Sequence, residues 1–185
     1  MIEFRKACMD DADTILKLYN DLINAIKNNV HTPEWDYGVY PKEENIINAI
    51  KSDELYVGVM GSEIVSSMVV NHTPNMGFDT VKWNVDEDYD KVYVVHLVAV
   101  KYEHNNKGIA KKMLNYLFDL AKENMIKSIR LSIIRNNKPA EHLYKKFDFK
   151  YVDSVCVHAD ERGLKEFKIY EKVLWKHSNE SFFYD

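Results

Sequence analysis

One stretch of this chain carries side chains spaced for chemistry as well as for packing. Lys107, Lys111 and Lys112 fall in the first two turns of a predicted helix with Gly108 at its start, while the acids Asp119 and Glu123 come toward its end. A helix start ordinarily favours carboxylates, because its unpaired N–H groups and the macrodipole present positive charge worth ~0.3–1 kcal/mol per neighbouring charge. An anion docked on those N–H groups would turn the lysines into partners, and Gly108 would let its oxygens approach the backbone closely. The plainer reading is that the three lysines only solubilise an exposed face. Two nucleotide-binding loops are excluded outright. Gly-Lys-Ser/Thr occurs nowhere, so there is no P-loop, and Gly108 is the only glycine between Gly77 and Gly163, so there is no Gly-x-Gly-x-x-Gly. The second residue of interest is His96, which interrupts the apolar run 92–100. An imidazole there must find a polar partner or face a cleft.

These residues depend on the elements that carry them. The run Val-Tyr-Val-Val-His-Leu-Val-Ala-Val at 92–100 reads as a central strand covered on both faces. A helix from about Lys107 to Glu123 follows, with Ile109, Met113, Leu114 and Leu117 on its buried face. Ile129, Leu131 and Ile133 then alternate with polar residues as the next strand, and the three together make a βαβ unit. Upstream, Ile2 to Arg5 predicts a strand, and Asp10-Asp11 opens an amphipathic helix through Ile26. His31 to Pro41 is an aromatic loop, and Glu43 to Lys51 a second helix. Gly61-Ser62-Glu63 joins two strands as a hairpin. Thr73 to Asp90 reads as a long connection in which Val81-Lys82-Trp83 could extend a strand. Pro139 opens a short fourth helix, and 149–158 and 165–174 finish the chain as two strands. The expectation is one α/β (α+β) domain over 1–175, with a mixed, mostly antiparallel sheet of six or seven strands, about four helices and a tail at 176–185.

Composition narrows the function classes. The 185 residues, 46% apolar and 29% charged, suit a single globular core. The net charge of −4 offers no positive field for nucleic acid. No apolar run approaches the ~18 residues of a membrane span, and the first residues lack the apolar core of a signal peptide, so a cytoplasmic protein without membrane attachment is expected. Cys8 and Cys156 have no C-x-x-C partner for zinc or redox work and read as buried thiols, and no metal is expected.

Two further motifs carry a family resemblance. Asn105-Asn106-Lys107-Gly108-Ile109-Ala110 after His96-Leu97-Val98-Ala99-Val100 is similar to the Gln/Arg-x-x-Gly-x-Gly/Ala motif of the GNAT superfamily of acyl-CoA-dependent N-acetyltransferases. Downstream, the run Asn137 to Phe149 resembles that family's N-x-x-A-x-x-L-Y-x-x-x-G-F. Asn105 departs from the usual Gln or Arg, which shifts pyrophosphate binding toward backbone amides and lysines. Asp148 stands where the family has Gly, and aspartate tolerates the left-handed backbone such a turn needs.

The resemblance implies acetyl-CoA as co-substrate, with its pyrophosphate on the N–H groups of about Asn106 to Lys111. Its pantetheine arm would lie along Val98, Ala99 and Val100, steadied by Asn137. It also implies Tyr144 as general acid toward the CoA sulfur and a main-chain N–H near Val98 polarising the thioester. His96 is the candidate base, as in one branch of the family that has a histidine at the matching position; a satisfied core histidine is the competing reading. Glu34, Asp36 and Glu87 are reserve bases through water. The acceptor would be a small-molecule or peptide amine, walled by Trp35, Tyr37 and Tyr40 and attracted by Asp36, Glu87 and Asp88, on a monomer or homodimer. Two other classes stay open: an inactive CoA-binding sensor or scaffold, which needs neither Tyr144 nor His96, and a protein-interaction module, which needs no CoA.

Overall fold

The computed structural model describes residues 1–36 and 38–174, with the backbone only of Asp160; the sequence-derived tail at 176–185 lies outside them. Strand β1 (Ile2–Lys6) is followed by a 3₁₀ turn at Met9–Asp11, then α1 (Ala12–Ile26) and α2 (Glu43–Lys51). The hairpin β2 (Leu55–Met60) and β3 (Glu63–Asn71), the strand β4 (Val92–Val100), α3 (Ile109–Glu123) and β5 (Ser128–Ile134) come next. The chain then runs through α4 (Lys138–Lys146), β6 (Lys150–His158) and β7 (Leu164–Val173). The seven strands form one sheet in the order β1-β2-β3-β4-β5-β7-β6, antiparallel throughout except for the parallel pair β4–β5. That pair and α3 are the expected βαβ unit.

Alternation along the strands sends successive side chains to opposite faces. Tyr93 and Val95 of β4 join Met113, Leu114 and Leu117 of α3 and Tyr144 of α4 in one core. On the other face α1 and α2 pack Ile15, Leu18, Ile46 and Ile50 against Leu55, Val57 and Val69. Beyond the helices, that second face carries a smaller cluster, where Val92, Val94 and Ile169 meet Phe78 and Val81 of the β3–β4 connection.

The connection at 73–91 forms no strand at Val81-Lys82-Trp83, because it is strapped down by a buried polar network. Glu171 of β7 accepts hydrogen bonds from Asn84 N (2.8 Å), Asn84 Nδ2 (2.9 Å), Ser128 Oγ (2.7 Å) and Arg130 Nε (3.1 Å). Arg130 also donates to the Val85 carbonyl at 2.6 Å and lies 4.1 Å from the Trp83 ring centroid. Arg130 and Glu171 are 2% and 1% exposed, so each charge depends on the other for compensation. Both cysteines are exposed, against the expectation of buried thiols: Cys156 lies on edge strand β6, and Cys8 heads the turn before α1, where its N–H donates to Asp11 Oδ2 at 2.9 Å. Among the described residues no helix is long and apolar enough to cross a membrane, and no cluster of His, Cys, Asp and Glu could hold a metal.

Candidate active site

The site begins where β4 and β5 part. They are paired only over Val92–Val95 and Ser128–Leu131; beyond Val95 the two strands diverge, and β5 continues against β7. Opposite β3, the register slips by one residue, so that Leu97 and Val98 face Met68 alone. This is a β-bulge, and Leu97 takes φ +51°, a region costly for a branched side chain. Such backbone persists only when its surroundings hold it. Here Tyr19 of α1 does so: its buried hydroxyl lies 2.5 Å from the Leu97 carbonyl, to which it donates, and 3.2 Å from Ser67 Oγ. Burial pushes the Tyr19 pKa well up, so the donor proton is retained.

A cavity of about 850 Å³ occupies this gap, walled by His96, Val98 and Val100 of β4 and by Ser132, Ile133 and Ile134 of β5. At α3 it meets the loop Asn105–Asn106 and Gly108 through Lys111. Asn106 and Gly108 adopt φ +61° and +76°, which delays the helix to Ile109 instead of the expected Lys107. The N–H groups of Gly108, Ile109, Ala110 and Lys111 have no acceptor among the described residues; the first that does is Lys112, which donates to the Gly108 carbonyl at 3.2 Å. No side chain caps this end, and its first turn holds no acid. A Cβ at Gly108 would meet nothing within 4 Å, so the glycine serves the left-handed backbone and leaves open space in front of the amides. Four unpaired donors, a bare approach and flanking lysines fit a phosphorylated anion.

From α4, Asn137 caps the helix through Oδ1, which accepts from Ala140 N at 3.3 Å, and also lines the cavity. Asp148 takes φ +65°, the left-handed turn expected where a glycine is missing. Tyr144 lines the cavity and packs edgewise on Phe149 at 5.3 Å, and its hydroxyl makes no hydrogen bond among the described residues. Burial pushes its pKa up, so it remains protonated at neutral pH. Three residues before it, on the outer side of α4, Glu141 accepts from Lys145 (2.8 Å), Lys168 (3.0 Å) and Tyr170 (3.1 Å), which ties the helix to β7. Those donors pull its pKa down to about 2.

His96 is held by a chain that the sequence did not disclose. Asn71 Oδ1 lies 2.9 Å from His96 Nε2 and 3.1 Å from Thr73 N, and Asn71 Nδ2 donates to Glu54 Oε2 at 3.0 Å. The Thr73 N–H and the Glu54 carboxylate fix which end of the amide is oxygen. His96 Nε2 therefore carries the hydrogen, and Nδ1 keeps its lone pair. Burial pulls the imidazole pKa down to about 4, with the Thr73 main chain opposing, so the ring is neutral at pH 7.

Of the sequence-derived site residues, Tyr144, His96, Val98, Val100, Asn105, Asn106, Gly108, Ile109, Ala110, Lys111 and Asn137 line this cavity, as do Trp35 and Tyr40. Ala99 does not: it alternates to the other face, into the α1 core. Lys107 is exposed and not on the cavity wall. Tyr37 lies outside the described residues. The reserve bases Glu34, Asp36 and Glu87 do not line the cavity, nor does Asp88, and Glu34 is taken up by Lys165 at 2.9 Å. Trp35 packs 5.6 Å from Tyr19, so it serves the core beneath the bulge as well as the wall. Sequence reasoning missed Tyr19, Asn71, Glu54 and Arg162. The signal for Tyr19 was a hydroxyl on the buried face of α1 that would need a partner; the others gave none.

Residues 20–149 match the Acetyltransferase (GNAT) family. Among solved structures, a provisionally assigned acetyltransferase from Staphylococcus aureus Mu50 is similar at 27% identity and TM-score 0.70, over 93% of this chain and 99% of that one. A GNAT-family acetyltransferase from Streptococcus agalactiae 2603 superposes with TM-score 0.79 at 20% identity, over 95% and 96% of the two chains. A Salmonella typhimurium structure described with acetyl-CoA as its cofactor shares the fold at TM-score 0.69 and 15% identity, over 98% and 99%. No curated relative matches the sequence significantly.

Proposed function

The chain belongs to the GNAT acetyltransferase family, and from that premise we propose that it moves the acetyl group of acetyl-CoA directly to a primary amine of a small molecule or peptide, within a ternary complex. The observation that carries this reading is the row of acceptorless N–H groups from Gly108 to Lys111, opening onto a cavity that also meets His96 and Tyr144.

The residues divide the work by position. The amides at the start of α3, with Lys111, would hold the pyrophosphate. The unpaired edge of β4 at Val98 and Val100 would take the pantetheine by main-chain pairing, with Asn137 facing it from α4. Bound acetyl-CoA supplies the thioester carbon and the thiol leaving group. The bulge at Leu97–Val98 withdraws main chain from the ladder, so an N–H there can polarise the thioester oxygen.

Tyr144 keeps its proton and makes no competing hydrogen bond, so it is free to protonate the departing sulfur. With a hydroxyl less acidic than a thiol, that transfer has to accompany C–S cleavage. His96 Nδ1 is the open proton acceptor. A base near pKa 4 cannot strip a resting ammonium of pKa ~10.4, because the gap of about 6 units costs about 9 kcal/mol. His96 therefore takes the proton as the N–C bond forms and the amine nitrogen becomes acidic.

The test begins with acetyl-CoA in a thermal-shift titration, where stabilisation is expected and its absence at millimolar cofactor refutes the reading. Tyr144→Phe should keep that stabilisation while transfer, followed by free-thiol release, slows at least ~10-fold. Undiminished transfer under chemistry-limited conditions would remove Tyr144 from the mechanism.

A further inference from the structure

The cavity wall is charged in one sense only. Among the described residues it includes Arg162, Lys111, Lys146 and three histidines, and no Asp or Glu. Lys111 and Lys146 come from α3 and α4, on the side of the unpaired amides. On the opposite side, formed by the loop after α1 and the β6–β7 turn, Arg162 is the one side chain with a fixed charge among the described residues.

Among the described residues no acid pairs with that charge. Arg162 ends the 3₁₀ turn Asp160–Arg162, with its own N–H on the Ala159 carbonyl at 3.0 Å. The guanidinium carbon lies 4.3 Å from the Tyr40 ring centroid, so one face of the group is occupied. Nε is buried with no hydrogen-bond partner, and no carboxylate among the described residues pairs with the group. A desolvated, unpaired donor is costly to keep. Of the two acids on the facing loop, Glu34 is engaged by Lys165 and Asp36 does not line the cavity. The same cavity is lined by the apolar Ile26, Trp35, Met76, Val157 and Phe167 as well as by Asn29, Thr32 and Asn75.

We infer that the acceptor is an amine bearing a carboxylate on an apolar body, and that Arg162 reads the carboxylate through its in-plane N–H edge. The inference rests on the acetyl-transfer reading and names its substrate class. Such an edge matches the two oxygens of a carboxylate, the aromatic and aliphatic wall takes the body, and the amine is left for the His96 side of the cavity. The acidic attraction expected from Asp36, Glu87 and Asp88 is replaced by its opposite, because those carboxylates lie off the wall and the cation lies on it.

Matched pairs test this: an apolar α-amino acid against its own carboxamide, at saturating acetyl-CoA, by thiol release. The free acid should exceed the carboxamide at least ~10-fold in kcat/KM, since a site built to pair a polar group rejects the analogue lacking it. The carboxamide has the less basic, more available amine, so amine reactivity cannot produce that order. In Arg162→Gln the ratio should fall to within about twofold while stabilisation by acetyl-CoA is unchanged. Equal or better use of the carboxamide, or a preference that survives Arg162→Gln, overturns the assignment.

A readout independent of turnover is calorimetry on the CoA-loaded protein with the N-acetyl amino acid and its amide. Binding of the acid alone, lost in Arg162→Gln, supports the inference; equal binding, or none, overturns it. Failure of the wild type to be stabilised by acetyl-CoA would instead refute the acetyl-transfer reading, and this inference with it.

Discussion

Lowering the pH should load a specific penalty onto this fold through His96. The imidazole has a pKa of about 4 in the folded protein, against 6.5 when free. A depressed histidine pKa means that the unfolded chain takes up a proton which the folded chain refuses. Stability is therefore complete above pH 6.5 and is lost progressively as the pH falls from 6.5 toward 4. The difference of about 2.5 units, at 1.36 kcal/mol each, amounts to about 3 kcal/mol, a ceiling because one edge of the ring faces the solvent-accessible cavity. That is a large share of the 5–15 kcal/mol expected of a domain.

The carboxylate effects fall elsewhere: Glu141, held near 2 by Lys145 and Lys168, loses its contribution only below pH 4.5, and Asp11, pulled well down by Arg5, loses its contribution at still lower pH. Urea unfolding of the wild type and of His96→Gln, which keeps a donor for Asn71, should be compared between pH 7.5 and 4.5. The wild type should lose up to about 2.5 kcal/mol more than the variant across that window. Parallel losses in the two proteins would refute the burial argument, and with it the neutral ring on which the proton-acceptor role depends.

Two further expectations follow from buried contacts. Tyr19→Phe leaves the Leu97 carbonyl without its 2.5 Å donor inside the protein, which should cost ~1–3 kcal/mol in urea unfolding; because that bond holds the bulge, kcat should fall more than acetyl-CoA affinity, and an unchanged kcat would show that the bulge holds itself. Glu171→Gln strands the Arg130 charge at 2% exposure, so a loss of ~3–5 kcal/mol is expected by urea unfolding, while the joint change to Arg130→Met and Glu171→Leu should cost much less; a loss under 1 kcal/mol for Glu171→Gln would mean that solvent reaches the pair.

Most of the scaffold was legible in the sequence because it is written in periodicity. The alternation at 128–134 and the apolar run at 92–100 defined β5 and β4. The 3.6-residue spacing of Ile109, Met113, Leu114 and Leu117 defined α3, and Gly108 with Asn137 and Tyr144 marked the two helices that meet the cavity. These signals are local: each depends on which side chains share a face of one element. The misreadings were also local. Val81-Lys82-Trp83 has strand propensity, yet Trp83 is drawn under Arg130 and Asn84 is tied to Glu171, more than 80 residues away. The cysteines were judged by residue type, and type does not reveal that β6 is the sheet edge.

What the sequence alone determined is which residues can bond: a glycine at the start of a helix poor in early acids, a histidine in an apolar strand, a tyrosine on the face of α4. What only the tertiary structure decided is which bonds are already used. Glu34 is taken by Lys165, and His96 Nε2 by Asn71, while among the described residues the amides of Gly108 through Lys111, the Tyr144 hydroxyl and the Arg162 guanidinium are left over. Pattern fixes the inventory of donors and acceptors one element at a time. The unsatisfied remainder, which is what a ligand meets, exists only after elements distant in sequence have packed and consumed their share.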